Sequence, residues 1–265
     1  MGLGATTLAF SLLLSAGAGA SVFTVAIDAG HGGSNRGAPS KKPGTFEKHL
    51  TLAIAKQMQR ILAGEKDVKV VLCRSADVLL PIRARVRCGN QAGAHLFISL
   101  HANAAGPAEE PGSQRGFEIY VLPAAEVDKE VARVALLSPD DIEAAWAGHK
   151  VRAAAAQGLA AARRIEWRLA DTLGRDRDRG IKQEGATLDV LQGLDMPAVL
   201  VEIGFLDHAE EGPYLLSEEG QRAVATALAG AITDLRSREQ RGLKEPMTTA
   251  PRPGQAVSPP PSQGR

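Results

Sequence analysis

The chain is poor in cysteine, poor in aromatic residues and nearly free of net charge. Cys73 and Cys88 are its two cysteines in 265 residues. Two are too few for a disulfide-stapled scaffold or a cysteine-rich zinc site. They read as small apolar fillers, or as one disulfide if the protein is exported, and sequence does not decide between these. Aromatics make up 4% of the chain, which argues against stacking platforms for nucleic-acid bases. A formal net charge of +1, with no block of one sign, leaves no electrostatic footprint for nucleic acid. A membrane-length apolar run is also missing. The run Leu8–Gly17, LAFSLLLSAG, is too short to span a bilayer stably.

That run instead reads as the core of an export signal. The small residues AGA at Ala18–Ala20 follow it, so cleavage is expected before Ser21 and no stable span remains afterwards. No Lys or Arg precedes the run, and the other reading is an uncleaved anchor or a wrongly assigned start site. At the far end, from about Arg241, the composition shifts to Pro, Gly, Ser, Thr and Gln. Such a segment buries too little apolar surface to offset its ordering entropy. The expected organisation is a signal over 1–20, one domain over 21–238 and a disordered tail over 239–265.

Inside the domain, strand-like and helix-like stretches alternate. Val22–Ile27, Val68–Cys73, His95–Leu100, Gly116–Leu122, Ala186–Leu191 and Pro197–Ile203 read as strands. A helical stripe of Leu50, Ile54, Met58, Ile61 and Leu62 follows Phe46 and closes at Gly64. Pro81 opens another helix, a long helical stretch follows the fourth strand, and Glu218–Arg236 closes the fold. This pattern predicts a single α/β domain with a largely parallel sheet of about six strands flanked by helices. In such sheets the functional site lies at the carboxyl ends of the strands.

The chemistry-bearing residues fall at those ends. AIDAGHGGSNRGA places Asp28 on the first strand and His31 on a glycine-rich turn after it. His101 follows the third strand in SLHANAA, and Glu202 sits at the end of the last in VLVEIGF. Glu47 opens the first helix on the same face as Leu50, Ile54 and Met58. An inward carboxylate there is costly unless it is paired or binds a metal. Two histidines and one carboxylate (His31, Glu47 and His101) form a common catalytic zinc donor set. Glu202, in an apolar strand that should raise its pKa, is the natural general base. Each residue also has a plainer reading. A histidine after a strand often serves structure, Glu47 suits a helix dipole, and Glu202 can pair with a cation. His49, His95, His149 and His208 read as solvated or structural.

IDAGHGGSNRGA, FEKHLTLAIAKQM, SLHANA and MPAVLVEIGFLDHAEEGPYL resemble, in that order, the zinc-dependent N-acetylmuramoyl-L-alanine amidases of the Ami/Cwl type. The stretch LCRSADVLLPIRARVRCGNQAGAHLFISLHAN is similar too, and the likeness runs from Val22 to Leu235. The resemblance implies one zinc ion on His31, Glu47 and His101, with Glu202 as acid/base. It also implies peptidoglycan as substrate, cut between the muramic acid lactyl group and L-alanine. With the signal, it implies a periplasmic location, or an extracellular one for a Gram-positive wall. Asp28 then orients a ligand or merely serves the turn, and Asn103 shapes the zinc loop. Cys73 and Cys88 replace the Thr and Ala usual in relatives. Gln192 stands where relatives often carry Arg or Lys near the cleft. The segment 123–157 is longer than the minimal family needs. It reads either as a connecting helical pair or, by analogy with cell-division amidases, as an autoinhibitory insert released by an activator protein. Glu126, Glu130 and Glu143 are then its candidate plugs. A zinc peptidase or deacetylase, and a non-catalytic wall binder on the same fold, are the alternatives.

Overall fold

In a computed structural model of the chain, residues 22–106, 108–183 and 188–242 are described. The expected signal and most of the tail lie outside these residues. Six strands form one sheet: β1 (Phe23–Ala29), β2 (Val68–Leu72), β3 (Leu96–Asn103), β4 (Phe117–Tyr120), β5 (Asp178–Lys182) and β6 (Ala198–Phe205). Their order is β2-β1-β3-β6-β4-β5. The first four in that order run parallel, whereas β4 is antiparallel to β6 and parallel to β5. Every residue of β1 is buried, as expected for a central strand covered on both faces.

The helices are α1 (Glu47–Leu62), α2 (Ile82–Gln91), α3 (Ala124–Leu137), α4 (Asp141–Leu173), α5 (Glu211–Leu216) and α6 (Glu218–Gln240). The larger core joins Leu50, Ile54 and Met58 of α1, Ile165 and Leu169 of α4, and Leu228 and Ile232 of α6 to one sheet face. That face is Val25, Ile27, Ile98, Leu100, Ile119, Val199 and Val201. A smaller core on the opposite face joins Ala26, Phe97 and Leu200 to Leu188, Val190 and Leu191. Side chains alternate between faces along a strand. So Asp28, Ser99, His101 and Glu202 share this second face with Ala26, Phe97 and Leu200.

Several sequence expectations are corrected here. The apolar run ending at Leu191 is not a strand; Asp189–Leu191 is a 3-10 turn whose apolar side chains plug the smaller core. The sixth strand is instead Asp178–Lys182, a charged, glycine-containing edge strand that pairs on one side. His101 lies inside β3 and not past its end, while Glu202 lies within the last strand as expected. Ile61 is exposed and stands off the α1 stripe. Of the two readings left open for the cysteines, the structure has the disulfide, Cys73–Cys88.

Candidate metal centre

The centre begins where β1 stops. His31 has φ 60°, the one positive value among the described non-glycine residues. A side chain in this left-handed region costs about 1–2 kcal/mol, so the surroundings must hold it there. Gly32 and Asn35 exchange backbone hydrogen bonds of 2.8 and 3.1 Å across the turn. Asn35 Oδ1 lies 2.8 Å from His31 Nδ1, which leaves Nε2 facing Glu47 Oε2 at 2.9 Å. A partner that ties one ring nitrogen fixes the orientation of the other for a metal.

The glycines around it make room. A Cβ on Gly30 would sit 2.6 Å from His101 Cε1, and one on Gly37 would strike Glu47 and the His31 ring. Gly37 also has φ +68°, so bulk and backbone both require glycine.

Glu47, 3% exposed, is the hinge of the cluster. Its Oε2 accepts from Ala38 N at 2.8 Å and its Oε1 from Ala102 N at 3.0 Å. Oε1 also meets His101 Nδ1 at 2.9 Å. Burial works to raise the Glu47 pKa. Hydrogen bonds and charge from His101 and His31 outweigh it and hold the carboxyl well below the usual range. His101 responds in the other direction. Burial lowers its pKa, but the Glu47 hydrogen bond and the charges of Glu202, Glu47 and Asp28 leave it raised.

One ligand atom from each of His31, Glu47 and His101 lies within 4.8 Å of the others. Two imidazole nitrogens and a carboxylate oxygen suit zinc. A buried orphan supports the fit: Glu202 Oε2 is sealed from solvent and has no hydrogen-bond partner. Glu202 is paired in register with His101 on the neighbouring strand. Burial, with the negative charges of Glu47 and Glu118, pushes the Glu202 pKa up to about 8 despite the opposing His101.

The remaining candidates are placed as follows. Asp28 is wholly buried and touches no candidate ligand. It pairs with Arg85 Nη1 at 2.6 Å and accepts from Ser99 Oγ at 2.9 Å. Asn103 Nδ2 donates to Glu118 Oε1 at 2.9 Å. Glu118 lies opposite Glu202 in the antiparallel pair, and Tyr120 and Arg179 also bond to it. Gln192 Nε2 meets Glu126 Oε2 at 3.4 Å, away from the cluster. Glu126 pairs with Lys129 and Glu130 with Arg133, while the Glu143 amide bonds to the capping Asp140. None of the three glutamates reaches the cluster. Because β4 opposes β6, its chain exits at the edge where β6 begins, and α3 starts there. Gly158 of α4 packs against Ala198 at that same edge. Glu143 lies fifteen residues earlier on this helix, roughly 22 Å further out along its axis. His49, His95 and His208 accept backbone hydrogen bonds, and His149 stacks on Trp146.

Sequence reasoning missed Asn35, Arg74, Arg85 and Glu118. Asn35 carried a signal, an amide four residues beyond a turn histidine; the other three are tertiary partners with no local signature.

Fold and centre together define an α/β protein with a two-histidine, one-carboxylate site near the carboxyl edge of a mostly parallel sheet. The chain belongs to the N-acetylmuramoyl-L-alanine amidase family: the Amidase_3 family model matches residues 25–234. It is 28% identical over 244 residues to a probable N-acetylmuramoyl-L-alanine amidase AmiB of Haemophilus influenzae, covering 83% of this chain and 52% of that protein. With AmiA of Escherichia coli K12 it shares 31% over 224 residues, covering 78% and 74%. The chain thus spans about half the length of the Haemophilus protein. Among solved structures, N-acetylmuramoyl-L-alanine amidase AmiC2 of Nostoc punctiforme superposes with a TM-score of 0.63 at 28% identity, covering 83% of this chain and all of that one. An N-acetylmuramoyl-L-alanine amidase from Clostridium difficile 630 gives 0.62 at 26%, covering 81% and 96%.

Proposed function

We propose that the protein is a zinc-dependent N-acetylmuramoyl-L-alanine amidase. It would cleave the amide between the lactyl group of N-acetylmuramic acid and L-alanine in peptidoglycan. The observation that carries this reading is the convergence of His31, Glu47 and His101 beside Glu202, whose Oε2 is buried and unpartnered. The family and the names of its relatives supply the bond.

A zinc ion held by these three side chains would supply Lewis acidity, polarising the carbonyl and acidifying water. The protein's own part is proton management. Glu202 takes a proton from the attacking water and returns it to the alanine nitrogen as the carbon–nitrogen bond breaks. The products are a free lactyl carboxylate and a stem peptide with an L-alanine amino terminus. In the metal-free protein burial pushes this carboxyl up to about 8, and a zinc cation beside it would favour the carboxylate that takes the proton. Asn35 holds the His31 ring, and Ala38 N and Ala102 N hold the Glu47 carboxylate.

The disulfide supports an oxidising compartment, periplasmic or extracellular. Among the described residues no helix is long and apolar enough to cross a membrane.

Purified peptidoglycan digested with and without a chelator, with products read by mass spectrometry, tests the reading. Metal-dependent release of peptides beginning with L-alanine is expected. Release of peptides cut elsewhere would indicate a peptidase, loss of acetyl groups a deacetylase, and wall binding without release a binder.

A further inference from the structure

Three consecutive carbonyls at the exit of β1 are held by two buried arginines. Arg74 Nε donates to Ala29 O at 2.7 Å and its Nη2 to Gly30 O at 2.7 Å. Arg85 Nη1 donates to Ala29 O at 2.8 Å and its Nη2 to His31 O at 2.6 Å. Both guanidinium side chains are almost wholly sequestered, at 3% and 6% exposure. Buried cations are costly, and only Arg85 has a carboxylate against it, Asp28. The hydrogen bonds of Arg74 go to carbonyls and to one hydroxyl.

What they hold is the one described non-glycine residue in the left-handed region, His31. Arg74 also reaches the other half of the centre. Its Nη2 donates to Lys48 O at 2.9 Å and Thr51 Oγ1 at 3.2 Å, in the first turn of α1 beside Glu47. One guanidinium therefore spans the loop of one ligand and the helix start of another. Between the two arginines, the segment 75–81 wraps the turn: Gly32 packs on Val78, and Gly33 donates to Asp77 Oδ1 at 2.8 Å.

The disulfide joins the two elements that carry these arginines. Cys73 immediately precedes Arg74 just past the end of β2, and Cys88 lies one turn beyond Arg85 on α2. Side chains three residues apart on a helix share a face. We infer that Arg74 and Arg85 are positioning residues for His31 and that the Cys73–Cys88 bridge fixes their spacing. His31 is thereby set against Glu47 and His101 before any metal arrives, and metal affinity depends on four side chains that are not ligands. This rests on the metal centre proposed above.

The test is a zinc competition titration with a chromophoric chelator on the full chain, with thermal melting as the fold readout. Arg85→Lys keeps a cation beside Asp28 but cannot span Asp28, Ala29 O and His31 O. It is expected to bind zinc about 10–100-fold more weakly, the usual cost of losing a supporting contact behind a ligand. The pair Cys73→Ser with Cys88→Ser should weaken binding by a smaller factor while melting stays cooperative. Arg177→Lys is the control. Arg177 pairs with buried Glu211 elsewhere, so its loss should lower the melting temperature and leave zinc affinity unchanged. Cobalt-loaded protein adds a signature, since a shifted ligand changes the visible absorption and mere destabilisation does not. If Arg85→Lys and the serine pair both hold zinc within twofold of the parent, the inference fails. If Arg85→Lys does not fold, the serine pair alone decides by the same criterion. A parent chain that binds no zinc would overturn the metal centre itself, and this inference with it.

Discussion

On one face of the sheet, Val25, Ile27, Ile98, Leu100, Val199 and Val201 are all apolar and meet α1, α4 and α6. On the other, Ala26, Phe97 and Leu200 give way, two residues further along each strand, to Asp28, Ser99 and Glu202. The same alternation that fills one face with hydrocarbon sets Asp28 beside Ser99 and, two residues further along, His101 beside Glu202 on the other face. A fully apolar face supplies the stability, so the other can hold a strained histidine, an unpartnered carboxyl oxygen and two buried arginines.

Glu202→Gln, on the polar face, should lower turnover by about 10²–10⁴-fold while melting is preserved, measured by peptide release from peptidoglycan. Activity within a few-fold of the parent would remove Glu202 from the proton relay. Ile165→Ala, in the apolar core, should act in the other currency. It is expected to cost about 2–5 kcal/mol of unfolding free energy by denaturant titration, with turnover per folded molecule unchanged.

A smaller effect sharpens the contrast by pH. Glu202 is raised from 4.5 to about 8 in the folded, metal-free protein. The folded state therefore holds a proton that the unfolded chain releases near pH 4.5. Its contribution is complete below that value and is lost as pH rises through about 8. The stability difference between the metal-free parent and Glu202→Gln should thus move against the parent between about pH 5 and pH 9. Subtracting the variant removes the contributions that do not depend on the Glu202 charge, and the part of the His101 shift that Glu202 causes stays in the difference. A flat difference would show that the Glu202 carboxyl is solvated.

The apolar face was the more legible one. Period-two strands and the α1 stripe are local patterns, and they located β1, β2, β3, β6 and the helix that carries Glu47. Burial and pairing separate at two places. Leu188, Val190 and Leu191 look like a strand because they are buried, but they plug a core without joining a ladder. Asp178–Lys182 looks like a loop because an edge strand needs few apolar residues. On the polar face, His31, Glu47, His101 and Glu202 stood out as residue types at strand ends and a helix start. Their supports did not. Arg85 reaches Asp28 across 57 positions and Arg74 reaches Gly30 across 44, so nothing local marks either arginine. The cysteines stand fifteen residues apart, on two elements whose approach only the folded chain reveals.

The reversal of β4 sets where the molecule can grow. Chain added after β4 leaves through the blind edge of the sheet, and α3 with the first half of α4 already does so. Residues added there extend away from Glu202 and not toward it. The fold thus separates its working surface from its most expandable one, by the direction of one four-residue strand.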